Sequence, residues 1–210
     1  MPRHSLLGRL LRLTTTGPLH QRRPVTHHTR GANMRDLMID IETLGTAPGS
    51  VVLSIGAVTF DAETGEFGEE FYVAIEPSSA VANGLTMDVS TIKWWMEQSA
   101  DAQAAAFSGT AHATTALLAL SEFVKAAGAT RVWAKPPSFD LVLLESAFRS
   151  CFVDIPWHYR TPRDVRTLFD ITGAAQPDVG TAHNALDDAK SQALGVVEAY
   201  RILAARTLAA

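Results

Sequence analysis

The stretch LMIDIETLG, residues 37 to 45, decides the fold. Leu37, Ile39 and Ile41 alternate with Met38, Asp40 and Glu42, the two-residue period of a strand. One face is aliphatic and belongs in a core. The other carries two carboxylates at i and i+2, roughly 7 Å apart and pointing the same way. Like charges so placed repel and are costly to desolvate, so a strand carrying them needs something positive nearby.

Working outward, Val51–Asp61 (VVLSIGAVTFD) is a second, β-branched strand. The ETG at 63–65 signals a turn into a third at Gly68–Glu76, which predicts a hairpin and an antiparallel meander. The pattern then turns helical. Asp88 or Ser90 caps STIKWWMEQ, and an Ala/Leu-rich helix covers Ala111–Ala127. RVWAK (131–135) is a short strand broken by Pro136 and Pro137, after which Ser138 is placed to cap FDLVLLESAFRS. An extended piece near Trp157–Tyr159, a helix at Arg163–Ile171 and a last helix from Asn184 to Leu208 complete the order. This order predicts an α/β fold with a mixed sheet and helices packed around it.

Residues 1–33 stand apart. They hold six arginines, four histidines and no acidic residue. We read them as a disordered, targeting or non-native extension, with 34–210 as the functional domain. The favoured reading starts the native chain at Met34, which implies a cytoplasmic protein. An Arg-rich, acid-free mitochondrial transit peptide is the alternative. The remaining residues carry 12 Lys and Arg against 22 Asp and Glu, a net −10, which argues against broad electrostatic capture of nucleic acid. It leaves room for a nuclease whose cations supply positive charge locally. No apolar run reaches the roughly 20 residues of a membrane span, so no membrane partner is expected. The single cysteine, Cys151, excludes an intramolecular disulfide and reads as a small buried residue.

Further carboxylates lie at helix starts. Asp140 follows the fourth strand, and Asp187 and Asp188 lie in HNALDDA (183–189), just after His183. Converging carboxylates suit hard divalent cations, and a histidine beside them has a pKa suited to deprotonating water. Helical phase leaves Asp187 and Asp188 equivalent.

These residues also carry a resemblance. DIET (40–43), SFD (138–140) and H-x(4)-D (183–188) resemble the DEDD superfamily of 3′–5′ exonucleases, in its DnaQ-like, histidine-bearing branch. SIGAVTFD, STIKWWMEQS, VWAKPPSFD, RDVRTL and HNALDDA are similar to its phage-type exodeoxyribonuclease and exoribonuclease subgroup, over about residues 36–200. The resemblance implies a ribonuclease H-like five-stranded mixed sheet, a three-strand meander plus parallel strands, with helices on both faces. It implies two Mg²⁺ or Mn²⁺ ions held by Asp40, Glu42, Asp140 and Asp188, with His183 as general base. It selects Asp188 over Asp187. The implied reaction is metal-dependent hydrolysis at the 3′ end of single-stranded DNA or RNA, releasing nucleoside 5′-monophosphates. The alternative is a catalytically weak nucleic-acid-binding protein on the same fold. Pro136 and Pro137 depart from the small residues common before SFD and would rigidify that loop.

For substrate contacts, the resemblance implies that Thr43, Leu44 and Gly45 meet the terminal nucleotide, with Leu44 wedged on the last base. The bland reading gives Gly45 a turn that needs positive φ. Ile92, Trp95 and Met96 form a helical stripe that places Trp95 in the core and leaves Trp94 exposed, free to stack on a base or to join a homodimer contact. Arg166, in a cluster with Arg160 and Arg163, is a candidate phosphate contact, the bland reading being pairs with Asp164 and Asp170. Phe139 reads as packing beneath the site.

Overall fold

The computed structural model describes residues 35–209. The extension assigned to residues 1–33 and the Met34 start lie outside them.

β1 (Asp36–Thr43) sits at the centre of a five-stranded sheet. β2 (Val52–Phe60) pairs with it antiparallel, and β3 (Phe67–Ala74) pairs antiparallel with β2. On the other side β4 (Arg131–Ala134) runs parallel to β1, and β5 (Pro162–Asp164) parallel to β4. The strand order is β3-β2-β1-β4-β5. This is the mixed α/β sheet that the alternation and the resemblance predict.

Each face of β1 buries what its period assigns to it. Leu37, Ile39 and Ile41 join Leu53, Ile55 and Ala57 in the larger core cluster. That side is covered by α1 (Pro77–Ala82), α2 (Val89–Met96), α3 (Ala100–Phe107), α4 (Ala113–Ala127) and α5 (Asp140–Ser150). Met38, Val58, Phe60 and Trp133 face the opposite side, under α6 (Val165–Thr172) and α7 (Ala185–Leu208). Each fully buried aliphatic or aromatic side chain contributes about 1.5–3 kcal/mol. Local chemistry sets the helix ends: Asp88 and Asn184 accept from the first-turn N–H groups of α2 and α7, and Gly128 ends α4 in the left-handed region.

Some boundaries differ from expectation. The fifth strand is Pro162–Asp164, and Trp157 is instead a core residue packed edge-on against Phe148. Consequently α6 starts at Val165, after that strand. Ser138 does not cap α5: Phe139 occupies the cap position without a side-chain bond. Met96 is exposed, because α2 is short and its last turn runs past the core that holds Trp95. Gly45 has no positive φ; it packs closely instead, since a Cβ there would lie 2.4 Å from Ser50 Oγ.

Two features fix α7 on the sheet. Asp36, fully buried, accepts from Arg131 Nε and Nη2 at 2.6 and 2.7 Å, Trp133 Nε1 at 2.7 Å and the Ala62 N–H at 3.1 Å. Arg131 also donates to the Tyr200 hydroxyl of α7 at 3.2 Å. At the other end Gly56 of β2, the register partner of Asp40, touches the start of α7. A Cβ there would lie 2.2 Å from Ala185 C and Leu186 N, so only glycine lets the first turn of α7 descend beside β1.

Candidate active site

The approach at Gly56 brings three chain segments together at the carboxyl ends of the parallel strands β1 and β4, where open α/β sheets place their sites. Asp40 and Glu42 come from β1, Asp140 from the first residue of α5 and Asp188 from the first turn of α7. Ligand atoms of Glu42, His183 and Asp188 lie within 4.8 Å of one another. Glu42 and Asp140 are buried.

The crowding appears in their acidities. Burial first, then the charges of Asp188 and Asp140, push Glu42 up to about 8. Burial pushes Asp140 up to about 7, against nearby main-chain N–H groups and the Arg166 charge. Asp40 is raised well above the usual carboxylate range by burial and by Asp140, Glu42 and Asp188, with Gln192 opposing. Asp188 is raised by burial, against the His183 N–H and charge. Four buried carboxylates that resist ionising together suit a divalent cation, whose charge would offset their repulsion.

The donor set fits a hard divalent ion. It is dominated by carboxylate oxygen, and Asp140 Oδ2 is buried with no hydrogen-bond partner among the described residues. An orphaned carboxylate oxygen costs about 1–3 kcal/mol or more, which a bound cation would offset.

Asp187 and Asp188, equivalent by helical phase, separate by their partners. Asp187 Oδ2 accepts from the Thr181 N–H at 2.8 Å and holds the loop before α7. Asp188 Oδ2 accepts from the His183 N–H at 3.1 Å, on the side facing Glu42. His183 has φ 63°, a left-handed conformation that costs a non-glycine residue about 1 kcal/mol or more. Its ring packs edge-on against Trp94 at 4.9 Å between centroids, with Trp95 at 6.2 Å. Trp95 is buried and anchored by its Nε1–H to the Thr43 carbonyl at 2.9 Å. The indoles of α2 thus brace the imidazole beside the end of β1.

A cavity of about 450 Å³ opens next to Glu42, lined by Thr43, Thr46, Thr91, Trp94 and Phe139. Its size suits a small ligand, and its polar hydroxyls and two aromatic walls suit a nucleotide. Trp94, 41% exposed, serves both this wall and the His183 ring. Phe139 is half-buried on the wall as well as packed against the core, a position its expected role beneath the site did not anticipate.

The turn after β1 corrects one expectation. Leu44 is 3% exposed in the main core, its N–H donates to the Val51 carbonyl and its carbonyl accepts from the Asp88 N–H. Neither its side chain nor its backbone is available to a base. The strand register shifts between Glu42 and Thr43, skipping Leu53, and the chain turns inward there. Gly45 closes the turn, its carbonyl accepting from Thr43 Oγ1 at 2.8 Å.

Arg166 is exposed and makes no ion pair among the described residues, and its charge acts on Asp140 and Lys135. Asp164 caps α6 instead of pairing with it, and Arg163 donates to the carbonyls of Arg160, Thr161 and Pro162.

Two residues were not foreseen. Lys135, half-buried, donates to Gln176 Oε1 at 2.5 Å and lies over Phe169, and burial and Arg166 lower its pKa while Asp40 and Asp188 raise it. Gln192, 5% exposed, donates from Nε2 to Asp40 Oδ1 at 2.7 Å. Its signal in the sequence was a polar residue four positions after Asp188, one turn along the same helix face.

The family model described as the 3′–5′ exoribonuclease Rv2179c-like domain matches residues 35–200. Among solved structures, the zinc-bound complex of E. coli exonuclease I with single-stranded DNA superposes with a TM-score of 0.55 at 14% identity, covering 81% of this chain and 40% of that one. The same enzyme with a dA16 oligonucleotide gives 0.57 at 15% identity, covering 80% and 42%. Cell-death related nuclease 4 gives 0.54 at 12% identity, covering 79% and 64%. At these identities the likeness is one of fold, and this chain spans about 40% of the length of exonuclease I. No curated protein matches the chain.

Proposed function

The chain belongs to the Rv2179c-like 3′–5′ exoribonuclease domain family and has the fold of DnaQ-like 3′–5′ exonucleases; from that premise we propose that it removes nucleotides from the 3′ end of single-stranded nucleic acid by two-metal hydrolysis. The observation that carries the reading is the convergence of Asp40, Glu42, Asp140 and Asp188, with His183, beside an aromatic-walled cavity.

In this reading the four carboxylates hold two Mg²⁺ or Mn²⁺ ions, whose four positive charges balance theirs. When bound, the ions neutralise charge developing on the attacked phosphate and favour ionisation of the attacking water. His183 accepts the proton of that water, its ring held by Trp94. Trp94 and Phe139 flank the terminal base, Thr43 shapes the pocket floor, and Arg166 neutralises a phosphate upstream of the cut. The products are nucleoside 5′-monophosphates. RNA is the preferred substrate, a choice supported by the family description. We also propose a homodimer, supported by the exposed Met87, Val89 and Met96 beside Trp94.

The test incubates the protein with matched single-stranded RNA and DNA, with Mn²⁺ and with EDTA, and identifies the products chromatographically. Metal-dependent appearance of 5′-monophosphates, faster from RNA, is expected. No release from either substrate overturns the enzyme reading in favour of a binding protein on the same fold, and faster release from DNA overturns only the substrate choice.

A further inference from the structure

Gln192 reaches from α7 to Asp40 on β1, donating Nε2–H to Oδ1 at 2.7 Å. Asp188 lies one turn earlier on the same helix. A single helix face therefore presents one carboxylate to the cluster and grips another. Gly56 makes the reach feasible, since any Cβ there would lift the start of α7 off β2.

Ordinary packing does not account for Gln192. It is 5% exposed, and its Oε1 has no hydrogen-bond partner. Leaving a buried amide oxygen unpaired costs about 1–3 kcal/mol, which a methionine of similar volume would avoid. Among the described residues, the unpaired buried side-chain oxygens are this one and Asp140 Oδ2, both in the carboxylate cluster. A hydrated divalent cation carries the O–H donors the cluster lacks. The choice of an amide is also informative. A neutral donor orients Asp40 without cancelling its charge, whereas a lysine or arginine would neutralise the carboxylate and repel a cation.

We propose that Gln192 is a positioning residue for the cation site: its amide fixes the Asp40 carboxylate so that the free oxygen faces the cation, and it couples α7 to β1 there. The assignment rests on the nuclease reading above. Hydrogen bonds that orient a ligating carboxylate typically contribute 10–100-fold to metal affinity or activity.

The experiment titrates Mn²⁺ into the wild-type protein and into Gln192→Met, following free Mn²⁺ by its paramagnetic resonance signal. Rates on a single-stranded oligonucleotide are measured over a range of Mn²⁺, with melting curves in EDTA. The expected result is 10–100-fold weaker Mn²⁺ binding, a lower kcat recovered in part by added Mn²⁺, and an unchanged KM for the oligonucleotide once Mn²⁺ saturates. Metal-free melting stays close to wild type. Gln192→Asn, which withdraws the amide by one methylene, reports the same contact if the methionine variant does not fold. Wild-type Mn²⁺ affinity in the folded variant, with or without lower melting, overturns the assignment and makes Gln192 a packing residue. Failure of the wild type to bind Mn²⁺ overturns the nuclease reading as well, so the two outcomes are distinct.

Discussion

Removing the cation should invert how the stability of this domain depends on pH. Glu42 has an ordinary pKa of 4.5 and is pushed to about 8 in the fold, while Asp140 moves from 3.8 to about 7. A carboxyl whose folded pKa is raised binds more protons folded than unfolded, so its contribution is fully present below the unfolded pKa and is lost as pH rises through the folded one. Glu42 alone corresponds to about 5 kcal/mol between pH 4.5 and 8. The carboxylates raise one another, so their contributions do not sum, and the Glu42 figure of about 4–5 kcal/mol sets the order of magnitude for the cluster. At about 2–4 °C per kcal/mol for a chain of this size, melting in EDTA should fall by up to about 10–20 °C from pH 5 to pH 8.5. Saturating Mn²⁺ should reverse the trend, because the cation competes with protons for the same oxygens and binds better as they leave. The assay is thermal melting by circular dichroism across that range, with EDTA and with Mn²⁺. Glu42→Gln serves as control: it should flatten the EDTA slope and be more stable than wild type at pH 8.5. A flat or rising EDTA profile would mean that the carboxylates ionise in the fold without penalty, against this expectation.

His183→Ala should lower kcat by about 10²–10⁴ at saturating Mn²⁺ while changing melting little, because the residue carries backbone strain and its ring is only half-buried; steady-state kinetics on a labelled oligonucleotide measure this. Gly56→Ala places a methyl 2.2 Å from α7 backbone, so urea denaturation should show a loss of about 1–3 kcal/mol, and activity should fall as Asp188 and Gln192 lift from β1. Arg166→Ala should raise KM and reduce the salt dependence of binding by about one phosphate contact, without changing melting, as read from affinities at several salt concentrations.

Much of this was legible in the sequence, for physical reasons that differ from residue to residue. Alternation along β1 assigned Leu37, Ile39 and Ile41 to the main core, because a strand has only two faces. The resemblance, not the alternation, set Leu44 against a base, whereas the register shift and the end of the strand turn it into the core. β5 has no strand signature at all: Pro-Arg-Asp pairs because β4 presents a free edge beside it, and the more apolar Trp157 drew the expectation five residues back. Helical phase could not separate Asp187 from Asp188, because the difference lies in the loop each one meets, the Thr181 N–H or the His183 N–H. Pro136 and Pro137 do not keep Asp140 from the cluster: the Pro136 carbonyl accepts from the Phe139 and Asp140 N–H groups and turns the chain into α5. Gln192 and Gly56 matter through contacts between segments over a hundred residues apart, which spacing along one chain does not express.

Exonuclease action is tested on a single-stranded RNA labelled at its 5′ end, incubated with the protein and Mn²⁺ beside an Asp188→Asn variant. The expected result is a ladder that shortens one nucleotide at a time from the 3′ end, absent in EDTA and lost in the variant. Internal cuts, shortening that persists in EDTA, or a variant as active as wild type would contradict it.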